Sequence, residues 1–387
     1  MKQLIISGRE LRSALSYLAP SVGTKSSAQQ EASLLYISVQ EEDLLKLQVQ
    51  SNILISSTTA TCSSTEAVNL EMLIEFSTID KYVKNNSINE DFVFNLDMLE
   101  EEEYIEITVG NKFIGTLPTI PLDAYEVQSF EDSVSVSKVN SDVIDSMISM
   151  SCQFANMKQD TQDYMQIVAQ DGELIFFTSD GDTISKFTSK QDIEDDFDIT
   201  VRASSLKKIN NFKSSEVDIQ LTDDEYFVIL SEEDSLRAIV LHSDPPYSYH
   251  ELDTNEEEHE CTLTIPSESM ISSLKNLECS STDNLFNLHI QNDTDMKVYS
   301  ENIDSSKTEI NLDISIDNYL DILSGDTYKS SIILFRKLSN LTKDSGKLNL
   351  KMWTSVDDKG ENFIDMIDAC GTSGNVDYSI SFGLLES

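Results

Sequence analysis

The chain has 387 residues, too many for one ordinary core and suited to two or three domains of about 130 residues. Its 39% hydrophobic and 8% aromatic content excludes a wholly disordered chain. With 69 acidic against 27 basic residues the net charge is -42, which repels nucleic acid and anionic membranes at long range, so any such partner must be argued from local patterning.

The opening stretch, Met1-Lys2-Gln3-Leu4-Ile5-Ile6-Ser7, carries an apolar run too short for a signal peptide or a membrane span, which predicts a cytoplasmic protein with no membrane partner. Leu4-Ile5-Ile6 reads as a strand. A helix follows in which Leu11, Ala14, Leu15 and Leu18 share one face while Arg9, Arg12, Ser13 and Ser16 take the other, until Pro20 stops it. Short alternating strands come next, among them Leu45-Leu47-Val49, and then Ile74-Glu75-Phe76 leads into a predicted helix over 77–85 with Ser77 as its cap.

The same plan returns twice. Val134 and Val136 alternate, Asn140 or Ser141 caps a helix, and Val143, Met147, Met150 and Phe154 form its apolar stripe. Leu174 and Phe176 mark a strand, and Ile199-Thr200-Val201 precedes a predicted helix over 204–213 capped by Ser204. In the third copy Cys261, Leu263 and Ile265 form the strand, Pro266 and Ser267 open a helix over 266–277 with Met270, Ile271, Leu274 and Leu277 inward, and Leu285, Leu288 and Ile290 form a later strand. Leu4 to Val136 spans 132 residues and Val136 to Leu263 spans 127, a period that marks tandem repeats. The third copy offers two second helices, 316–324 or 335–344. The helix starts at 8 and 77, then at 141 and 204, are separated by 69 and 63 residues; starting from 267, residue 335 fits this spacing at 68, whereas 316 lies only 49 away. The segment 316–324 is therefore an insertion.

The first two copies end alike, in Thr116-Leu117-Pro118-Thr119-Ile120-Pro121-Leu122-Asp123-Ala124-Tyr125 and Val240-Leu241-His242-Ser243-Asp244-Pro245-Pro246-Tyr247-Ser248-Tyr249, each with prolines and a closing tyrosine. Acidic stretches, Glu131-Asp132 and Asn255-Glu256-Glu257-Glu258, read as connectors, which gives domains of 1–127, 128–257 and 258–387. Five singly placed cysteines (Cys62, Cys152, Cys261, Cys279, Cys370) fit reduced thiols, and His259 with Cys261 lacks the second pair that a zinc site needs. Ser179-Asp180-Gly181-Asp182 and Asn292-Asp293-Thr294-Asp295 lack the spacing of a calcium loop and read as turns. No nucleotide loop, nucleophile elbow or H-E-x-x-H is present, so the expectation is a protein that is not an enzyme, with no cofactor and no metal.

This plan resembles the bacterial replicative sliding clamp, the β subunit of the replicative polymerase, over essentially the whole chain. The opening Met1-Lys2-Gln3-Leu4-Ile5-Ile6 before an Arg-bearing helix carries the likeness, with Thr116-Leu117-Pro118 through Tyr125 and Leu174-Ile175-Phe176-Phe177-Thr178-Ser179-Asp180-Gly181. The resemblance implies an α+β fold of three tandem DNA-clamp domains, each with two helices backed by antiparallel sheet. It also implies a ring of two chains, a homodimer, in which the helices line a hole around double-stranded DNA.

If so, the few basic residues should gather on the pore helices. Arg9 and Arg12 lie on the first, Lys81 and Lys84 on the second, Lys207, Lys208 and Lys213 on the fourth, and Arg336, Lys337 and Lys343 on the sixth. The third and fifth helices are poorer: one has Asp142 and Asp145 with no basic residue, the other only Lys275. The hold on DNA is then expected to be topological and its intrinsic affinity low.

The resemblance further implies DNA polymerase and a clamp-loader ATPase as partners. Their linear peptides would enter an apolar pocket matched here by Met165, Gly181, Ile184, Tyr249, Leu252, Phe382 and Leu384. One departure stands out. The family usually has a His-Arg pair after the Ser-Asp-Gly turn, whereas this chain has Asp182-Thr183. With the acidity and the scarcity of arginine, this suggests a divergent clamp, of bacteriophage origin, with its own polymerase and loader. The alternative is an acidic β-rich structural protein or DNA mimic that does not encircle DNA.

Overall fold

The computed structural model describes residues 2–23, 33–41, 44–64, 70–97, 103–159, 162–209, 212, 214–222, 225–231, 235–242, 248–249, 261–301, 307–318, 327–356, 362–383 and 385–386. Among them one order of elements recurs three times: strand, helix, a group of strands, helix, three strands. The first repeat contains β1 (Gln3–Ser7), α1 (Gly8–Leu18), β2 (Leu34–Glu41), β3 (Leu44–Gln50), β4 (Leu54–Thr61), β5 (Ser63–Ser64), β6 (Leu70–Glu75), α2 (Phe76–Asn85), β7 (Asp91–Asn95), β8 (Tyr104–Val109) and β9 (Lys112–Pro118). The second contains β10 (Val134–Asn140), α3 (Ser141–Ser151), β11 (Tyr164–Gln170), β12 (Glu173–Ser179), β13 (Thr183–Lys190), β14 (Phe197–Arg202), α4 (Ala203–Leu206), β15 (Glu216–Leu221), β16 (Tyr226–Ser231) and β17 (Ser235–Val240). The third contains β18 (Cys261–Pro266), α5 (Ser267–Glu278), β19 (Leu285–Ile290), β20 (Asp295–Glu301), β21 (Lys307–Asp313), β22 (Ser315–Asp317), β23 (Thr327–Ser331), α6 (Ile332–Leu341), β24 (Lys347–Val356), β25 (Asn362–Ser373), β26 (Val376–Phe382) and β27 (Leu385–Glu386).

Alternation makes the strands and helical spacing makes the helices. Along β8, Ile105, Ile107 and Val109 are buried between less buried neighbours. Leu11, Leu15 and Leu18 of α1 pack inward with Phe92 and Phe94 of β7 in one core cluster. Each such side chain contributes about 1.5–3 kcal/mol on burial. Gly8 sits where the chain turns from β1 into α1: its N–H donates to Glu90 O at 3.0 Å, and an added Cβ would lie only 2.7 Å from that oxygen. Any side chain there would push α1 off the loop that follows α2.

The sheets do not follow the repeats. An eight-stranded antiparallel sheet runs β10-β15-β16-β17-β4-β3-β2-β6, joining the second repeat to the first through β17 and β4. A nine-stranded sheet runs β14-β11-β12-β13-β26-β25-β24-β18-β22, joining the third repeat to the second through β26 and β13. Two five-stranded sheets, β5-β1-β7-β8-β9 and β21-β20-β19-β23-β27, complete the set. The chain accordingly forms two compact units, Met1–Asp142 with Ser205–His242 and Val143–Ser204 with Ser243–Ser387.

Helix boundaries differ from expectation at α2, α3, α4 and α6, and α5 is shifted by one residue, to Ser267–Glu278. Helix α2 begins at Phe76, with Glu75 at the N-cap position but no side chain accepting a first-turn N–H, so Ser77 does not cap it. Instead the Ser77 and Thr78 hydroxyls donate to the Glu75 carboxylate at 2.7 and 2.8 Å. Helix α3 ends at Ser151, so Phe154 lies beyond it, yet its ring is buried beside Phe187. Helix α4 is one turn followed by a 3-10 turn over Lys207–Ile209, far shorter than 204–213. Helix α6 starts three residues early because Ser331 accepts the Leu334 N–H at 3.3 Å. The spacing choice for the third repeat is correct in placing that helix late: Ile316 lies in β22, paired with β18, and 319–326 fall outside the described residues.

Candidate nucleic-acid interface

Arg9 and Arg12 share the polar face of α1, which Ser7 caps by accepting the Glu10 N–H at 3.1 Å. Arg9 is exposed. Arg12 is half-buried and bound within the fold: its guanidinium donates to Val83 O at 2.6 Å and Asn86 O at 3.2 Å, the carbonyls at the end of α2. The positive group satisfies acceptors that the helix itself leaves open and fixes α2 against α1. On α2, Lys81 and Lys84 are both exposed, and Lys84 pairs with Asp80 one turn back at 2.6 Å.

Lys207 and Lys208 are exposed on the 3-10 turn after α4, anchored by buried Ile209. A carboxylate from elsewhere caps α4. Buried Asp163 accepts the Ser204 N–H at 2.8 Å and the Ser204 hydroxyl at 2.5 Å, so Ser204 itself is not the capping acceptor. Lys213 lies outside the described residues.

On α6 the two basic residues behave differently from those of α2. Arg336 forms an ion pair and a short hydrogen bond with Glu278 at the end of α5. Lys337 is half-buried with its ammonium 5.3 Å from the Phe154 ring centre. Burial pushes its pKa below the ordinary lysine value, partly opposed by the charge of Asp180. Lys343 is exposed in the turn beyond the helix.

The residues expected to line a peptide pocket fall on two faces of the nine-stranded sheet. Ile184 packs with Val168, Ile175, Phe177 and Tyr249. The Tyr249 ring meets Phe177 edge to face at 5.8 Å, Lys186 lies 4.9 Å from its centre, and the Tyr249 N–H donates to Gln166 Oε1 at 2.7 Å. Met165 is next to Gln166 and Phe382 is paired with Thr183 next to Ile184, so the strand pleat turns both to the other face. There Phe382 packs edge-on to Phe335 of α6 at 5.9 Å. Gly181 is exposed in the turn between β12 and β13 with φ +94°. Leu252 and Leu384 lie outside the described residues.

The two acidic loops are turns. Asp180 accepts the N–H groups of Asp182 and Thr183 at 3.2 and 2.8 Å, and Asn292 those of Thr294 and Asp295, both at 2.8 Å. Among the described residues no group of three or more His, Cys, Asp or Glu side chains is placed to hold a metal ion, and no helix is long and apolar enough to cross a membrane.

Two strands that motif reading passed over are open edges. Among the described residues β9 pairs only with β8, and β21 only with β20. β9 carries Phe113, 63% exposed, the largest exposure of any big apolar side chain described. On β21 the Glu309 carboxylate is bracketed by Lys297 at 2.6 Å and Lys307 at 3.1 Å. Its pKa is lowered by the hydrogen bonds from these two lysines.

Solved structures share this fold. A DNA polymerase III subunit β from Pseudomonas aeruginosa superimposes with a TM-score of 0.84 at 11% identity, each chain covered over 100% of its length. The fold is that of the bacterial sliding clamps. The β subunit from the DNA polymerase of Streptococcus pyogenes (TM-score 0.83, 15% identity) and a putative DNA polymerase III β subunit from Eubacterium rectale (0.82, 12%) match over 100% of both chains as well. No family model and no curated protein matches the sequence. At such identities the sliding-clamp fold is retained while most side chains are replaced. The three tandem clamp repeats are thus carried by burial pattern and turn chemistry rather than by particular residues.

Proposed function

We propose that this chain is a sliding clamp, a non-enzymatic processivity factor that encircles double-stranded DNA and tethers a replicative polymerase. One observation carries the proposal. Twice, the closing strand of a repeat (β17, β26) zips antiparallel onto the third strand after the first helix of the repeat before it (β4, β13). Their counterparts, β9 in the first repeat and β21 in the third, are the edges left over. Pairing β9 of one copy with β21 of a second repeats the same seam between molecules, and a head-to-tail contact whose rotation closes gives a ring. Two copies then form a homodimer of six domains, bounded near 127/128 and 257/258 in each chain.

In such a ring Arg9, Lys81, Lys207, Lys208 and Lys343 are the exposed positive groups offered to phosphates, with Arg12, Lys84, Arg336 and Lys337 contributing less because each already has a neighbour. Few contacts and a charge of -42 give a weak, salt-sensitive affinity, so retention is topological. The proposed peptide site for the polymerase and an ATP-driven loader centres on Ile184 and Tyr249, completed by Leu252 and Leu384. The replaced His-Arg pair fits a polymerase and loader of the chain's own, in a cytoplasm, of bacterium or phage-infected host.

Class averages from negative-stain electron microscopy test the ring. A closed particle with six lobes is expected, together with Phe113→Asp particles that fall apart into half-rings. Solid or elongated particles at every concentration would overturn the proposal.

A further inference from the structure

The two intrachain seams differ in what covers the face away from the helices. At the first, Ile55 of β4, Ala238 of β17 and Val228 of β16 are neighbours across three strands and are buried. The trio occupying the corresponding places at the second seam is Ile184, Ser381 and Asp368. There the Ser379 and Ser381 hydroxyls donate to the Asp368 carboxylate at 2.7 and 3.3 Å. The first floor is apolar across all three strands, whereas the second is apolar at Ile184 and polar beyond it, at Ser381 and Asp368.

A phenyl ring sits on the apolar floor. Phe130, from the linker after the first repeat, packs against that trio with Leu236 and Tyr226, meeting the Tyr226 ring edge to face at 5.3 Å. The linker carrying it forms no strand. It is moored at its ends: Gln50 Nε2 donates to Glu126 O at 3.0 Å, and the Ser133 hydroxyl lies 2.5 Å from Gln220 Oε1. Between these points Glu126, Val127, Ser129 and Glu131 are exposed, and Phe130 is the one apolar anchor. After Tyr249, the counterpart of Tyr125, the second linker runs Leu252-Asp253-Thr254-Asn255-Glu256 and has no aromatic residue to play this part.

We propose that residues 126–133 are a tethered ligand. The first seam is a docking groove for an extended segment that presents a single aromatic side chain, held shut in cis by Phe130 and open to such a segment of a partner protein when the strap lifts. An aromatic ring set in a short, otherwise solvated segment on an apolar floor is the arrangement by which linear peptides are recognised. A short tether gives Phe130 an effective concentration on the order of millimolar, so only a partner that outcompetes this, or one that pulls the strap away, gains entry. The groove is independent of DNA encirclement, and its test does not depend on ring closure.

The probe is a fluorescent synthetic peptide with the sequence of residues 126–134, compared with the same peptide carrying Phe130→Ala. Anisotropy is read at raised salt, which screens the acidic surface. Full-length Phe130→Ala protein is expected to bind the aromatic peptide at least about tenfold more tightly than the intact protein does, as the tethered competitor is lost. The alanine peptide should bind neither, and adding Leu236→Glu should abolish the gain. Equal binding by both proteins, binding of the alanine peptide, or no binding by folded Phe130→Ala protein would each overturn the proposal. If that variant does not fold, the milder Phe130→Leu takes its place: tighter binding of the aromatic peptide than by the intact protein supports the strap, and equal binding refutes it.

Discussion

Helices α2 and α6 hold the same place in their repeats and have the same length, and their sixth residues, Lys81 and Lys337, are equivalent lysines. Lys81 is exposed. Lys337 is half-buried over Phe154, and burial lowers its pKa. A basic residue at the right helical position is therefore not the same as an available charge. The residue that meets it from another element decides whether the ammonium faces water or a ring, and in this chain the second repeat supplies that ring to the third.

The comparison breaks most severely at Phe154. Phe154→Ala empties a buried site beside Phe187, and a loss of about 3–5 kcal/mol in denaturant unfolding is expected. With the ring gone the Lys337 pKa should rise toward the ordinary value, as read by NMR titration of the lysine side chain. An unmoved pKa would show that Phe154 is not what buries it. Arg12→Ala tests what keeps α2 in place. Losing the two bonds to Val83 and Asn86 should cost about 1–3 kcal/mol, whereas Arg9→Ala, on the same helix face, should change unfolding little.

Charge availability is sharpened on DNA. Lys81→Met should weaken retention on circular duplex and reduce the slope of log affinity against log salt by about 0.9, the share of one phosphate contact, and Lys337→Met should leave that slope unchanged. A slope that falls equally in both variants would make the two lysines alike. The smallest effect lies in pH. Because the folded-state pKa of Lys337 is depressed, its charged form opposes folding below that pKa, and the opposition fades as pH rises through it toward the ordinary lysine value. Stability of the intact protein should therefore gain on that of Lys337→Met across this alkaline window, with a difference under about 1 kcal/mol.

Much of the fold was legible because each repeat writes its period twice, once in the alternating strands and once in the helix stripes. Spacing alone chose the late helix of the third repeat. Its start lies earlier than predicted because Ser331, four residues before position 335, caps the helix by accepting the Leu334 N–H. The cap of α4 escapes the sequence for a related reason: Asp163, 41 residues from Ser204, supplies the acceptor, and no local window contains both partners. The peptide-pocket residues are grouped only by what the family resemblance implies, and the pleat separates Met165 and Phe382 from Ile184 and Tyr249, since neighbouring positions face opposite ways.

The three strand-and-helix repeats and the acidic turns are legible in the sequence, because they depend on neighbours within a few positions and on their recurrence. Which strands join the repeats, which edges stay open, where Lys207, Lys208 and Lys343 fall relative to the helix ends, and which lysines and arginines are bound to carbonyls, carboxylates and rings come from the folding of the whole chain. Those outcomes depend on groups brought together from far apart in the chain, as with Arg12 and Val83 at a separation of 71 or Thr58 and Ser235 at 177. Pairings over such distances are set by packing of the whole sheet, and no local pattern records them.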